Sequence, residues 1–252
     1  MLPNSAILLS GLTSFTLTPA AAGVANVTLT VTDAVFASAS STLLLTVNAA
    51  PSLSSLDDAA TTVGFAFSSA LTATGGTAPL QLVVASSNLA LVPNTAITWS
   101  LTSLQILPAV APPSNAASAS TVLTLTLTDS LGASAVSSFV LTVNALPTIS
   151  HQADVTVSLG ASTTVSVSVA RGTSPLTVTA SAANTTVFPA NSVVVLASTP
   201  GSAARSVQLS PQAVGASLVT LTVTDADSAT ATTSFTVRVF RKHDTNLSHA
   251  ES

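Results

Sequence analysis

TLTVTD, residues 28–33, returns unchanged at residues 220–225, and TLTLTD stands between them at residues 124–129. The closing aspartates, Asp33, Asp129 and Asp225, lie at a constant interval of 96 residues. In each hexapeptide apolar and hydroxyl side chains alternate, so Leu29 and Val31 share one face while Thr28, Thr30 and Thr32 share the other. A period of two with one apolar face is the pattern of a half-buried strand, and β-branched Thr and Val suit a pleated surface. An Asp that closes such a strand can accept backbone N–H groups from the turn after it. The stretch predicts a strand and its hairpin turn, copied three times.

The interval of 96 holds well beyond six residues. It separates Asn48 from Asn144, Pro51 from Pro147, Pro79 from Pro175, Asn88 from Asn184, Pro93 from Pro189 and Phe139 from Phe235. Twice that interval separates Pro19 from Pro211 and Gly23 from Gly215. In the middle copy an insertion around APPSNAASAS offsets a deletion upstream, as expected if strands define the unit and loops hang from it. Alternating runs separated by turn signals such as GTSPL, LGAS and TDADS predict about seven strands per copy. In the last copy they fall near 155–159, 163–170, 176–182, 192–197, 205–210, 217–224 and 232–240. Seven short antiparallel strands in about 100 residues point to an all-β, two-sheet Greek-key sandwich.

Residues AANTTVFPANSVVV (182–195), PQAVGASLVTLTVTD (211–225) and SATATTSFTVRV (228–239) resemble the immunoglobulin-like or cadherin-like repeats of large secreted and cell-surface proteins. The likeness lies in the Pro-containing linkers VNAAP and VNALP, the Asn88–Pro93 and Asn184–Pro189 segments, a Pro-x-x-x-Gly corner, and the Asp-turn hairpins. It runs over essentially residues 1–240. It implies tandem Ig-like seven-stranded Greek-key sandwiches. Because such sandwiches host many functions, it implies no particular activity.

Pro51 and Pro147 open full repeats. The expected organisation is therefore the C-terminal half of an Ig-like repeat over 1–50, full repeats over 51–146 and 147–240, and a polar tail over 241–252. Val27, Leu29 and Val31 should face inward without the first sheet that would cover them, which leaves unpaired edges and a bare apolar face. Either the chain is a fragment of a longer array or another copy completes the half repeat. The N-terminal MLPNSAILLSGLTSFTLTPAAA has an apolar run but no basic n-region, and reads as repeat and not as a targeting segment.

Composition narrows the partners. Of 252 residues, 39 are Ser and 39 Thr, 47% are hydrophobic and only 6% are charged, so the polar surface is built from hydroxyls and amides. Residues 1–150 carry no Lys or Arg, and Arg171, Arg205, Arg238, Arg241 and Lys242 are the only cations. Nucleic-acid binding needs several cations on one face, so it is not expected. The chain contains no cysteine for a disulfide, thiolate site or thiol nucleophile. No run approaches the roughly 18–20 apolar residues of a spanning helix, and one Trp with no Tyr cannot make the aromatic girdles of a membrane barrel. Membrane insertion is not expected.

Catalysis finds little to work with. Of three histidines, His151 follows a linker while His243 and His249 lie in the tail, which also holds the single Glu, Glu251. There is no G-x-S-x-G elbow, and the expectation is no enzyme, no catalytic residue and no cofactor. Asp225-Ala-Asp227 resembles the Asp-Ala-Asp of calcium-binding cadherins, and an Ig-like topology would place it at the end nearest the preceding linker. That linker, VNALP, carries no acid, and calcium wants six to eight oxygens, so no metal site is expected. Asp58 and Asp154 share the interval of 96 but sit a strand away from that end. Trp99 is the one possible sugar platform; its place in AITWS fits a core position as well as an exposed one, and the core is the place expected. The Thr-x-Thr runs suit a solvent face, since twisted sheets offer no flat lattice for ice. The basic end of the last strand (Arg238, Arg241, Lys242, His243) reads as solvated. Asn26, Asn184 and Asn246 begin N-x-S/T sequons and are the glycosylation candidates.

The function expected is a non-catalytic extracellular or cell-surface spacer, stalk or adhesive repeat, its partners neighbouring repeats or copies of itself, with glycans as possible additions. Alternatives are a subunit of a self-assembling extracellular filament, its N-terminal half repeat completed by a neighbouring copy, and a carbohydrate-binding or accessory module of a larger secreted enzyme.

Overall fold

The computed structural model describes residues 7–10, 14–113, 116–199 and 201–241. Four strands precede Pro51: β1 (Ile7–Ser10), β2 (Ser14–Leu17), β3 (Gly23–Thr32) and β4 (Ser38–Val47). Nine follow: β5 (Ser52–Leu53), β6 (Ala59–Thr62), β7 (Phe67–Ala70), β8 (Ala73–Thr74), β9 (Gln81–Ser86), β10 (Ile97–Trp99), β11 (Ser103–Ile106), β12 (Ser118–Thr128) and β13 (Ser134–Asn144). The last eight are β14 (Thr148–Ile149), β15 (Val155–Ser158), β16 (Thr163–Ala170), β17 (Thr177–Ala182), β18 (Val193–Val195), β19 (Ala204–Leu209), β20 (Gly215–Thr224) and β21 (Thr230–Phe240).

The final group closes into a sandwich. One sheet runs β14-β16-β19-β18 and the other β15-β21-β20-β17, which is the ABED-against-CFG order of an immunoglobulin sandwich with the first strand shared between sheets. The middle group repeats it, with β6-β13-β12-β9 packed on β10-β11-β7. There β5 pairs with β8 through Leu53↔Ala73, as β14 pairs with β16 through Ile149↔Val169, so β7 and β8 are one strand interrupted at Leu71 and Thr72. The chain is a tandem of Ig-like β-sandwiches.

Two details depart from seven antiparallel strands. The linker residues Thr148 and Ile149 add an eighth strand, and β6 and β15 run parallel to β13 and β21. Both follow from one event: the chain crosses from the first sheet to the second within a few residues, so what the sequence offers as a single opening strand serves both. Asp58 and Asp154 sit at that crossing and accept N–H groups of the closing strand, from Val140 and Thr236, at 2.7 Å each. The loops vary as the insertion implied. Ile106 faces Phe67 in the middle sandwich, and Leu209 faces Thr163 in the last.

Alternation along the strands becomes two separate cores. Leu123, Leu125, Leu127, Leu141 and Val143 are fully buried in one; Val207, Leu209, Val219, Leu221 and Val237 are fully buried in the other. Phe67 and Phe139 meet across the middle sandwich with ring centroids 5.6 Å apart. Each such Leu or Val contributes about 1.5–3 kcal/mol by leaving water.

Among the described residues of the first group, β1 pairs only with β2 and β3 only with β4. Here part of the face expected to be uncovered is open. Val27 is buried at 5% exposure, while Val31 at 65% and Leu43 at 44% remain open to solvent. The positions 96 residues further on, Leu127 and Phe139, are 0% and 3% exposed. Among the described residues this group consists of two separate two-stranded sheets.

Candidate functional site

The recurring aspartates do the same local work three times. After β3, Asp33 Oδ1 accepts the N–H groups of Val35 (2.9 Å) and Ala37 (2.8 Å). Asp129 Oδ1 accepts those of Leu131 (3.0 Å) and Ala133 (2.8 Å), and Asp225 Oδ1 those of Asp227 (3.0 Å) and Ala229 (2.8 Å). One carboxylate oxygen thus ties each hairpin turn.

The second oxygen reaches further. Asp129 Oδ2 accepts the Thr77 N–H at 3.0 Å, and Asp225 Oδ2 accepts the Thr173 N–H at 3.0 Å, which pins the loop after the second strand against the hairpin. The Thr77 N–H is the main reason the Asp129 carboxyl sits below its ordinary value of 3.8; burial opposes it, and the turn N–H groups assist. Such close approach needs glycine. Gly172 has φ +72°, and a Cβ there would lie 3.0 Å from both Cβ and Oδ2 of Asp225. Gly76 plays the same part beside Asp129.

These loops also carry the joint to the preceding group of strands. Gly172 N–H donates to Ala145 O at 2.9 Å, and Asn144 Nδ2 donates to the Thr173 hydroxyl at 3.0 Å. Gly76 N–H donates to Ala49 O at 2.7 Å, and Asn48 Nδ2 donates to the Thr77 hydroxyl at 2.9 Å. At the second joint, fully buried Thr62 comes in from the end of β6. Its hydroxyl lies 2.6 Å from Asp225 Oδ2 and 2.8 Å from the Thr173 hydroxyl, and its N–H donates to Asp227 Oδ2 at 2.7 Å. The Asp-Ala-Asp pair is therefore engaged with backbone N–H groups and a threonine of the sandwich before it. Among the described residues no group of three or more His, Cys, Asp or Glu stands together to hold a metal ion.

The remaining candidates lie apart. Trp99, expected in the core, sits instead at the rim, 39% exposed, with Nε1 donating to Leu82 O at 2.9 Å across the open edge between the sheets. Asn26 is exposed on β3. Asn184 is half-buried; its Oδ1 accepts Thr186 N–H and its Nδ2 donates to Ala216 O, so it shapes the turn before Pro189. His151, Arg238 and Arg241 are exposed, and Thr28, Thr30 and Thr32 face solvent. Arg205 is buried at 9% exposure, with carbonyls of Ser202, Ala204 and Leu176 as acceptors. Asn246, Lys242, His243, His249 and Glu251 lie outside the described residues. No described helix is long and apolar enough to cross a membrane.

Thr62 is a residue of this joint that the sequence alone does not mark. Its signal was present only in retrospect, as a hydroxyl at the end of the parallel strand. Among 39 threonines nothing local marks it.

No family model matches the chain, and no curated protein matches it. Solved structures similar to it include the I-band fragment I67–I69 from titin (12% identity, 95% of this chain and 84% of that one, TM-score 0.46). The N-terminal eight Ig domains of Down Syndrome Cell Adhesion Molecule match at 17% identity over 89% of this chain and 28% of that one, TM-score 0.44. The human desmocollin-1 ectodomain matches at 11% identity over 84% and 47%, TM-score 0.39. The strand order of the chain itself, and not these likenesses, makes it Ig-like.

Proposed function

We propose that this chain is a non-catalytic structural or adhesive repeat module, a spacer or stalk within an extracellular surface or matrix protein. The observation that carries the reading is the use to which the recurring polar residues are put. Asn48, Thr77 and Asp129, and again Asn144, Thr173 and Asp225, hold one group of strands to the next. Residues repeated along a chain to make joints serve length and orientation. A charge-poor surface of Ser and Thr suits a setting in which glycans add solubility, and exposed Asn26 is the more open acceptor of the two described sequons.

The filament alternative draws on Val31 and Leu43, which stay open in the first group. An apolar face of this kind is where a second copy would pack. Against strand exchange, every described strand of residues 51–240 is already paired, so a neighbouring copy would have to open a sandwich to lend one.

Light scattering behind a sizing column, over a range of concentrations, separates the two. A spacer gives the mass of one chain throughout. Polymers that vanish on deletion of residues 1–50 would replace the spacer reading with the filament.

A further inference from the structure

We propose that Thr62, Asn144, Thr173, Asp225 and Asp227 form a metal-independent clamp that fixes the angle between the last two sandwiches. It is a property of the joint and stands whatever the array carries.

The hydrogen positions in this cluster follow from chemistry alone. A carboxylate only accepts, so the Thr62 hydroxyl must donate to Asp225 Oδ2. Its single hydrogen is then committed, and in the 2.8 Å contact the Thr173 hydroxyl must donate to Thr62. Thr173 is left to accept from Asn144 Nδ2. The result is a one-way chain, Asn144 to Thr173 to Thr62 to Asp225, that crosses the joint three times and ends on a charge. Aligned hydrogen bonds of this kind polarise and strengthen one another, and those ending on a charged group are stronger than neutral pairs. Asp227 adds a second charged acceptor on the Thr62 N–H.

Two cross-joint contacts, one on the linker and one from the strand beside it, resist rotation better than the linker alone. The Gly172 N–H to Ala145 O bond holds the linker side, and Thr62 holds the end of β6. The first joint has the linker bond and the Asn48–Thr77 pair, but among the described residues no hydroxyl from the preceding group reaches Asp129. The position of Asp227 is taken there by Leu131, which is 80% exposed. The clamp thus needs the parallel strand of the preceding sandwich, and the two joints of this chain differ in stiffness.

The absence of native cysteine permits a direct test on the full chain. Spin labels on Thr98→Cys and Ala216→Cys, both at exposed positions in different sandwiches, give a distance distribution by double electron–electron resonance. A narrow distribution is expected, identical with calcium and with EDTA. Thr62→Val, which keeps the shape and removes the hydroxyl, should broaden it. Asp227→Ala, at a half-exposed position that leaves both cores intact, should also broaden it and speed exchange of the Thr62 amide about tenfold. A distribution unchanged in both variants, or one that narrows only on adding calcium, overturns the clamp.

Discussion

Leu125→Ala, compared with the same change at the positions 96 residues either side, reads out how far each sandwich stands on its own core. Leu125 and Leu221 are both 0% exposed and lie in different cores, whereas Leu29 is only half-buried on β3. Removing three carbons forfeits about 2.4 kcal/mol of transfer free energy at ~0.8 kcal/mol per methylene. The cavity left in a closed sandwich raises the loss to about 3–4 kcal/mol, within the range seen for buried leucines. At Leu29 nearby solvent fills the space, and the loss should be about 1 kcal/mol. Trp99 belongs to the middle sandwich alone and loses its Leu82 bond on unfolding, so its fluorescence follows that unit in urea. With a slope of about 2 kcal/mol per molar, Leu125→Ala should lower the Trp99 midpoint by about 1.5–2 M. Leu221→Ala should leave it within a few tenths of a molar, since only the joint couples the units. A Leu221→Ala shift as large as that of Leu125→Ala would refute independent cores. A Leu29→Ala cost equal to that of Leu125→Ala in hydrogen exchange would refute the open face of the first group.

Asp225→Asn keeps the turn bonds through Oδ1 but sets an amide against the Thr173 N–H; burying that donor unpaired should cost about 1–3 kcal/mol in urea unfolding followed by hydrogen exchange of β20. Gly172→Ala combines left-handed φ with a Cβ 3.0 Å from Asp225 and should cost about 2 kcal/mol or more, whereas Gly160→Ala, at φ +79° with open space around it, should cost only about 1 kcal/mol by the same measurement. Ser228 holds φ +72° where the middle hairpin has Gly132, so Ser228→Gly should stabilise the last sandwich by about 0.5–1 kcal/mol. The folded-state pKa of Asp129 lies below its ordinary 3.8, so its contribution is complete above about pH 4–5 and fades as pH falls through the folded value. The Trp99 midpoint should therefore drop on acidification below that range, and less steeply in Asp129→Asn; equal slopes would show that other carboxylates carry the effect.

The sequence determined the strands, because side-chain alternation is a local property and a sheet buries one face whichever partners it finds. The seven expected in the last copy fall on β15 to β21, and the Asp-closed hairpins follow from a carboxylate two to four residues from the N–H groups it accepts. Tertiary structure decided everything that joins distant residues. The crossing of the opening strand between sheets, which turns Asp58 and Asp154 into acceptors for the closing strand, depends on which sheet edge is free. The placement of Trp99 at a rim depends on the gap between two edges that its own strand does not show. Above all, Asp225 and Asp227 look like half of a cation site until Thr62 arrives, 163 residues earlier in the chain. In a protein where nearly a third of the residues carry a hydroxyl, composition hides such a partner, and only the packing of one sandwich against the next selects it.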